Sequence, residues 1–501
     1  HVLMVLYIPN VVELVGLGLA IDYSILITHR FISEIKINPS DREGAVIRTM
    51  ATAGRTVFLS GVTASIGLTT LFLVPVPFIR SLGAAGLVVP IVSVLAALTL
   101  QPVILYYMGE KGVKPRFITG IFNSKDEMSG LWARIASVVI AKPWRVLLSG
   151  LAILAIAASS LAWLQLTPTS LRAIPTTIES AKGLNFVVDR IGPGLVTPTV
   201  LVIDYGKAGQ ALLPENIQAR TDLSLKIIND DEVLAAITDS NARYVDTTGR
   251  YQRIFVMGIN EFGAESSKAF IKRLRDIYIP QSSLAKVARI YVGGAPAQGV
   301  DFLNTVYGVF PFIFAAALAI AYFLLIRSFR SLILPLIAVA LDLVSLAATY
   351  GLLVAVFRFG FLSPILGTYH VSQIEGWVPV FLFAVLFGLS MDYEVFIVSR
   401  MREARDAGAD TSTAIKEGLA HTGGVVTAAA IILVGALGGL ANGQIAGLQE
   451  LGIGLALGIL IDATIVRTLL LPSVMTILGK WNWWLPGGVA KAAMTKASPL
   501  D

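Results

Sequence analysis

The sequence predicts a polytopic α-helical membrane protein carrying one α+β extracytoplasmic domain of the ferredoxin-like, β-α-β-β-α-β kind. Three observations predict it. Of 501 residues, 55% are hydrophobic and 14% charged, with a mean hydropathy of +0.74, a balance that a water-soluble domain would present as sticky surface. Apolar runs of about 20 residues, enough to cross a hydrocarbon core of about 30 Å, recur near 8–28, 56–75, 82–107, 146–164, 306–326, 332–356, 378–398, 424–441 and 449–478. Between the fourth and fifth runs, 166–303 switches to alternating strand and helix patterns.

The domain order follows from these runs. Residues 1–110 hold three transmembrane helices, 111–143 a cytoplasmic linker, 144–165 a fourth helix, 166–303 an extracytoplasmic porter-like domain, 304–479 five further helices, and 480–501 a cytoplasmic tail. Orientation comes from the basic residues. Arg30, Lys36, Arg42, Arg48 and Arg55 lie in the first connector, Lys111 to Arg145 bound the next, and Arg327, Arg330, Arg400, Arg402, Arg405 and Lys416 flank later spans. The positive-inside rule makes these connectors cytoplasmic, which leaves 166–303 and 357–377 outside. The formal charge of +6 is therefore explained by topology and gives no reason to expect nucleic acid as a partner. Trp481, Trp483 and Trp484 beside Lys480 read as an interfacial anchor.

The chain has no cysteine, so it offers no disulfide, thiolate metal site or cysteine nucleophile. Its four histidines, His1, His29, His370 and His421, are scattered, and no P-loop appears. An enzyme and an ATP-driven pump are both disfavoured, and no cofactor is expected.

An internal repeat is the strongest pattern. GLAIDYSILITHR at 18–30 returns as GLSMDYEVFIVSR at 388–400, aligning Gly18, Leu19, Asp22, Tyr23, Ile27 and Arg30 with Gly388, Leu389, Asp392, Tyr393, Ile397 and Arg400. AVIRTMATAG at 45–54 matches AIKEGLAHTG at 414–423, and LQPVILYYMG at 100–109 matches LLPSVMTILG at 470–479. Three consecutive spans thus occur twice, in parallel. The second copy is preceded by a span, a domain and two more spans. By symmetry the first is expected to lack about 200 upstream residues, and a complete relative to have about twelve spans.

Within 166–303, strands are expected at 197–205, 233–238, 251–259 and 288–294, and helices at 214–230 and 266–279. This is a split-βαβ order without a heptad run.

Asp22 and Asp392 sit inside apolar spans, where a carboxylate costs several kcal/mol unless it is protonated, paired or facing a wet cavity. Two such groups near one another would exchange protons near neutral pH. Tyr23 and Tyr393 add hydroxyls that both donate and accept. Successive helix positions point about 100° apart, so each tyrosine is expected to meet the other helix's aspartate. The bland alternative is a structural pair in which each acid is merely hydrogen-bonded.

These motifs resemble the mycobacterial membrane protein large (MmpL) family of the resistance-nodulation-division superfamily. The resemblance runs through both Asp-Tyr spans, TAGR at 52–55, GGAPA at 293–297 and LGILIDATIVRTLLLPSVMTILG at 457–479. It implies Asp22, Tyr23, Asp392 and Tyr393 as proton-relay residues, protons as the coupling ion, and a cell-envelope lipid or lipid-like molecule as substrate. It implies a multi-pass protein of the bacterial inner membrane, of the branch without a long coiled coil. The start at the fourth span resembles members encoded in two pieces, so a separate N-terminal half is an expected partner, and an accessory envelope protein a further one.

Secondary candidates are Glu394, Asp462, Arg467 and Arg55. Glu394 lies two residues beyond Asp392, with Ser24 in its place in the first copy; it is either an accessory to the relay or a structural hydrogen-bonding group. Asp462 and Arg467 match the family's last span, but a spacing of five spreads them over roughly 140° of helix, which leaves a direct salt bridge open and structural stabilisation as their expected role. Arg55 aligns with Gly424, against a symmetric role. Asp342, in ALDLVSL, is expected to face a cavity or be satisfied locally.

The function expected is proton-motive-force-driven export of lipids to the cell envelope. The alternatives are a lipid- or sterol-sensing membrane protein of the same superfamily, or an inactive fragment needing a separate N-terminal piece.

Overall fold

A computed structural model of the chain describes residues 8–109, 130–168, 178–443 and 445–486, leaving aside the side chains of 8–12, 14 and 392. Nine helices among the described residues are long and apolar enough to cross a membrane. Most of the tail, 487–501, and most of the linker, 110–129, lie outside the described residues.

The first repeat comprises α1 (Ile8–Ile37), α2 (Arg42–Thr49) continuing through a π-helical turn into α3 (Arg55–Thr69), and α4 (Pro77–Met108). Local chemistry sets the boundaries. Asp41 caps α2 by accepting from the Gly44 amide at 2.8 Å. Pro77 opens α4, where its missing N–H costs nothing. Gly109 ends α4 at φ +53, a conformation that L side chains resist. The connector expected as a linker contains α5 (Leu131–Ala141), which runs into the spanning helix α6 (Pro143–Ser159).

Next come a short strand β1 (Leu166–Thr167), a helix α7 (Glu179–Arg190), and the elements β2 (Thr199–Asp204), α8 (Pro214–Ile228), β3 (Val233–Ile237), β4 (Tyr251–Gly258), α9 (Glu265–Arg273) and β5 (Arg289–Gly294). The four-stranded sheet has the order β3-β4-β2-β5, every neighbouring pair antiparallel. Alternation explains it: along β2, Leu201 and Ile203 are fully buried while Val202 between them is exposed. Leu201 pairs with Ile254 on one side and Val292 on the other. Leu223 and Ile227 of α8 and Phe270 and Ile271 of α9 complete this core. Arg273 pins the domain by donating two hydrogen bonds, at 2.8 and 2.7 Å, to Asp230, which also accepts from Tyr278.

On its C-terminal side the sheet passes straight into a spanning helix. β5 ends at Gly294 (φ +86), and α10 (Ala295–Phe329) begins at the next residue. Ala297, in its first turn, is buried in the core of the domain. Arg275 forms a two-pronged ion pair with Asp301, at 2.6 and 2.9 Å, across the same junction.

The second repeat follows α11 (Ile333–Phe357). A strand β6 (Ile374–Glu375) pairs in parallel with β1, and then come α12 (Val378–Asp406), α13 (Thr411–Gly438), α14 (Ala446–Ile461), a π-helical stretch over Asp462–Leu470, and α15 (Leu471–Leu478). The copies interlock through small residues. A Cβ on Gly18 of α1 would lie 2.9 Å from Leu433 of α13, and one on Gly388 of α12 would lie 3.3 Å from Ala64 of α3. Each Asp-Tyr helix thus packs its motif glycine against the second span of the other copy. That reciprocity is the expected result of a duplicated unit folded about an axis between its halves.

Candidate functional site

Asp22 is midway along α1 and 1% exposed. Its carboxyl interacts with the Tyr393 hydroxyl and feels the charge of the Arg467 guanidinium, both from the other copy. Tyr393 does meet the acid of the opposite helix. Tyr23 is fully buried beside α3, where a Cβ on Gly61 would come within 3.7 Å of its hydroxyl. Asp392 occupies α12 next to Tyr393, but its side chain lies outside the described residues, so its expected meeting with Tyr23 does too.

Arg467 is the hub of the site. It is 2% exposed, and its guanidinium carbon lies 5.0 Å from the Tyr393 ring centre, in cation–π range. Its Nη2 stands 2.7 Å from Asp462 Oδ2 and donates to Ser390 Oγ at 2.9 Å. The ion pair left open by helical geometry is therefore direct. The reason is local: Asp462–Leu470 is wound as a π-helix, whose i→i+5 repeat brings residues five apart onto one face, where an α-helix would not.

Two more acids join. Asp342, on α11, lies 2.6 Å from Ser390 Oγ through Oδ1, and its Oδ2 has no partner among the described residues. Glu394 is 4% exposed, its Oε2 lacks a partner there, and it feels the charges of Asp342, Arg467 and Asp462. A cavity of about 30 Å³ opens between Asp342, Ser390, Tyr393 and Asp462. Arg55, by contrast, is exposed at the start of α3 and stands apart from this set.

The site is asymmetric. On the register that aligns Asp22 with Asp392, Ser390 answers to Ala20, Glu394 to Ser24, Asp462 to Val92 and Arg467 to Ala97. The polar branch beside Asp22 therefore comes from the second copy and α11. Ser390 was not singled out in the sequence, although a hydroxyl replacing a methyl two residues before a repeated aspartate was visible there.

Nine candidate spans among the described residues, around a buried ionisable cluster, define a polytopic membrane protein. The MMPL family model matches residues 4–146 and 198–496, and the chain belongs to that family. It is a multi-pass protein of the bacterial inner membrane. It is similar to the "Heme uptake protein MmpL11" of Mycobacterium tuberculosis, at 30% identity over 98% of this chain and 50% of that protein. It is also similar to the "Mycolic acid-containing lipids exporter MmpL11" of Mycolicibacterium smegmatis, at 28% over 96% and 50%, and to the "Trehalose monomycolate exporter MmpL3" of Mycobacterium tuberculosis, at 29% over 95% and 52%. The chain spans about half the length of these relatives. A crystal structure of SecDF in its super-membrane-facing form shares the fold, with a TM-score of 0.51 at 12% identity, covering 93% of this chain and 54% of SecDF.

Proposed function

We propose that this chain supplies the proton-coupling site and one porter domain of a proton-driven exporter of lipid-like molecules. The observation that carries this reading is a carboxyl of one repeat, Asp22, buried against the hydroxyl of Tyr393 and the charge of Arg467 from the other. A buried acid responds to protonation by changing the charge at an interface between packed elements, and such interfaces are bistable. Taking up a proton at Asp22 removes the charge that faces Arg467, so the two repeats repack. Asp392, Tyr23 and Tyr393 complete the relay in this reading, and Glu394 and the Asp462–Arg467 pair set its charge balance. The pH gradient and membrane potential supply the driving force.

The β-α-β-β-α-β order and antiparallel sheet support a ferredoxin-like porter domain, placed outside the membrane by the flanking basic connectors. Because β5 passes directly into α10, a shift of the spanning helices is delivered to the domain. The names of the relatives support two substrate chemistries, mycolic-acid-type lipid and heme. Lipid is favoured because two of the three relatives named above are lipid exporters. A separate N-terminal half and an accessory envelope protein are proposed as partners.

The test uses the chain co-expressed with the proposed N-terminal partner and reconstituted into proteoliposomes carrying an imposed pH gradient. Gradient-dependent movement of a labelled mycolate lipid is expected, with none in Asp22→Asn and normal insertion of that variant. Movement undiminished in Asp22→Asn would end the reading. Movement of heme without lipid would retain the coupling and replace the substrate.

A further inference from the structure

Ser390 makes a demand on hydrogen atoms that its surroundings must meet. Its Oγ has three polar neighbours: Arg467 Nη2 at 2.9 Å, Asp342 Oδ1 at 2.6 Å and Asp462 Oδ2 at 3.2 Å. A hydroxyl has one proton to donate and two lone pairs to accept with. Arg467, which only donates, takes one lone pair. The proton can go to one of the two carboxyls. The other satisfies its contact only if it brings a proton of its own and donates into the remaining lone pair.

The ion pair decides which acid that is. Asp462 stands 2.7 Å from the same guanidinium and is its carboxylate partner. Asp342 has no cation of its own within the set, and 2.6 Å is an ordinary length for an O–H···O bond. Charge balance agrees. One guanidinium faces Asp22, Asp342, Glu394 and Asp462, and each buried carboxylate left uncompensated costs several kcal/mol. The cavity of about 30 Å³ beside Asp342 exceeds the roughly 10–15 Å³ that a water needs. Its lining is mainly apolar, and Asp342, Ser345, Ser390, Tyr393 and Asp462 are the polar members of it that would hold that water.

The geometry points to Asp342 as a further proton-binding residue, loaded from water in this cavity and discharging through the Ser390 hydroxyl to Asp462. This deepens the proton-coupled reading above and rests on it for its place in a transport cycle. The step balances. A hydronium gives its proton to the Asp342 carboxylate and becomes water. The neutral Asp342 then gives that proton to Ser390 Oγ as the Ser390 proton moves to Asp462 Oδ2. One proton has travelled, Ser390 is again a hydroxyl, and Asp342 is a carboxylate. Asp462, now neutral, releases Arg467, which turns its charge toward Asp342 and Asp22. Among the described residues, the charged and titratable groups facing Asp342 are Asp462 and Arg467 from the last span and Glu394 and Tyr393 from α12.

Infrared difference spectroscopy on the purified full chain, with ¹³C-carboxyl-labelled aspartate, tests this directly at neutral pH. A neutral-acid C=O band is expected in the wild type, diminished in Asp342→Asn and shifted in frequency in Ser390→Ala. Equal aspartate bands in wild type and Asp342→Asn would overturn the assignment. Should Asp342→Asn fail to insert, Ser390→Ala decides: an unmoved band overturns the proposal. The resting spectrum is read without transport. A chain that keeps these bands but moves nothing would sink the export reading alone.

Discussion

Asp462 and Arg467, five residues apart in one span, lie 2.7 Å from each other because the helix between them is wound with π geometry. The pair is buried near the carboxyl groups of Asp22, Asp342 and Glu394, and it fixes at a known place the one cation of the cluster among the described residues.

Removing that cation should be costly. Arg467→Met leaves Asp462 buried and unpaired, and a stability loss of about 3–5 kcal/mol is expected. Adding Asp462→Leu in the same chain should recover most of it. Denaturation in detergent, with the two single variants and the double variant, measures the coupling.

Tyr393 has two separable duties. Its ring lies beneath the Arg467 guanidinium and its hydroxyl reaches Asp22. Tyr393→Phe keeps the ring, so thermal stability should change little while gradient-driven transport in the reassembled protein falls about tenfold, which corresponds to about 1.4 kcal/mol lost at the Asp22 contact. Tyr393→Leu should lower both. Equal transport in the phenylalanine variant and wild type would remove the hydroxyl from the mechanism.

Packing between α6 and α11 depends on one missing side chain. A Cβ on Gly351 would fall 2.0 Å from the Ala157 carbonyl oxygen and 2.7 Å from Ala158 Cα, whereas one on Gly435 meets nothing within 4 Å. Gly351→Ala should cost about 1–3 kcal/mol because backbone must move. Gly435→Ala should be neutral or stabilising by about 0.4–1 kcal/mol. Melting temperatures of the two variants, side by side, check the contrast.

In the sheet domain, Asp204 ties stability to pH. Hydrogen bonds from Arg250, then from the Gly206 amide, hold its carboxyl down to about 2. A depressed folded-state value means stability that is present above the ordinary value of about 3.9 and lost as pH falls toward 2. Asp204→Asn should therefore lie below wild type at neutral pH and converge with it in acid. Thermal melts between pH 7 and pH 3 would show the two curves closing; a constant gap would refute the linkage.

Much of this molecule was legible in its residues. Spans announce themselves through length and hydropathy, and the strands of the domain through alternation such as that of Leu201 and Ile203. The Asp-Tyr repeat led to Asp22 and to Tyr393 as its partner from the other copy. The π-helix was not legible, because DATIVRTLL carries no breaker and a 3.6-residue period is the default for any apolar run. That one assumption hid the ion pair. Asp342 was legible as an acid facing a cavity, but Ser390 and its meeting with Asp342 were not: the two come together only when α11 and α12 are packed, and no spacing within either helix records it.

The junction at Gly294 has a practical meaning for anyone dividing this protein. Ala297 fills the interior of the sheet domain, Val300 packs against it, and Asp301 is clasped by Arg275, so the first two turns of a membrane helix complete a water-facing core. A fragment cut at the end of the last strand would open a hole in that interior. One that carries 295–301 keeps its lid, and with it the apolar start of a span, so soluble expression and correct folding pull the cut in opposite directions.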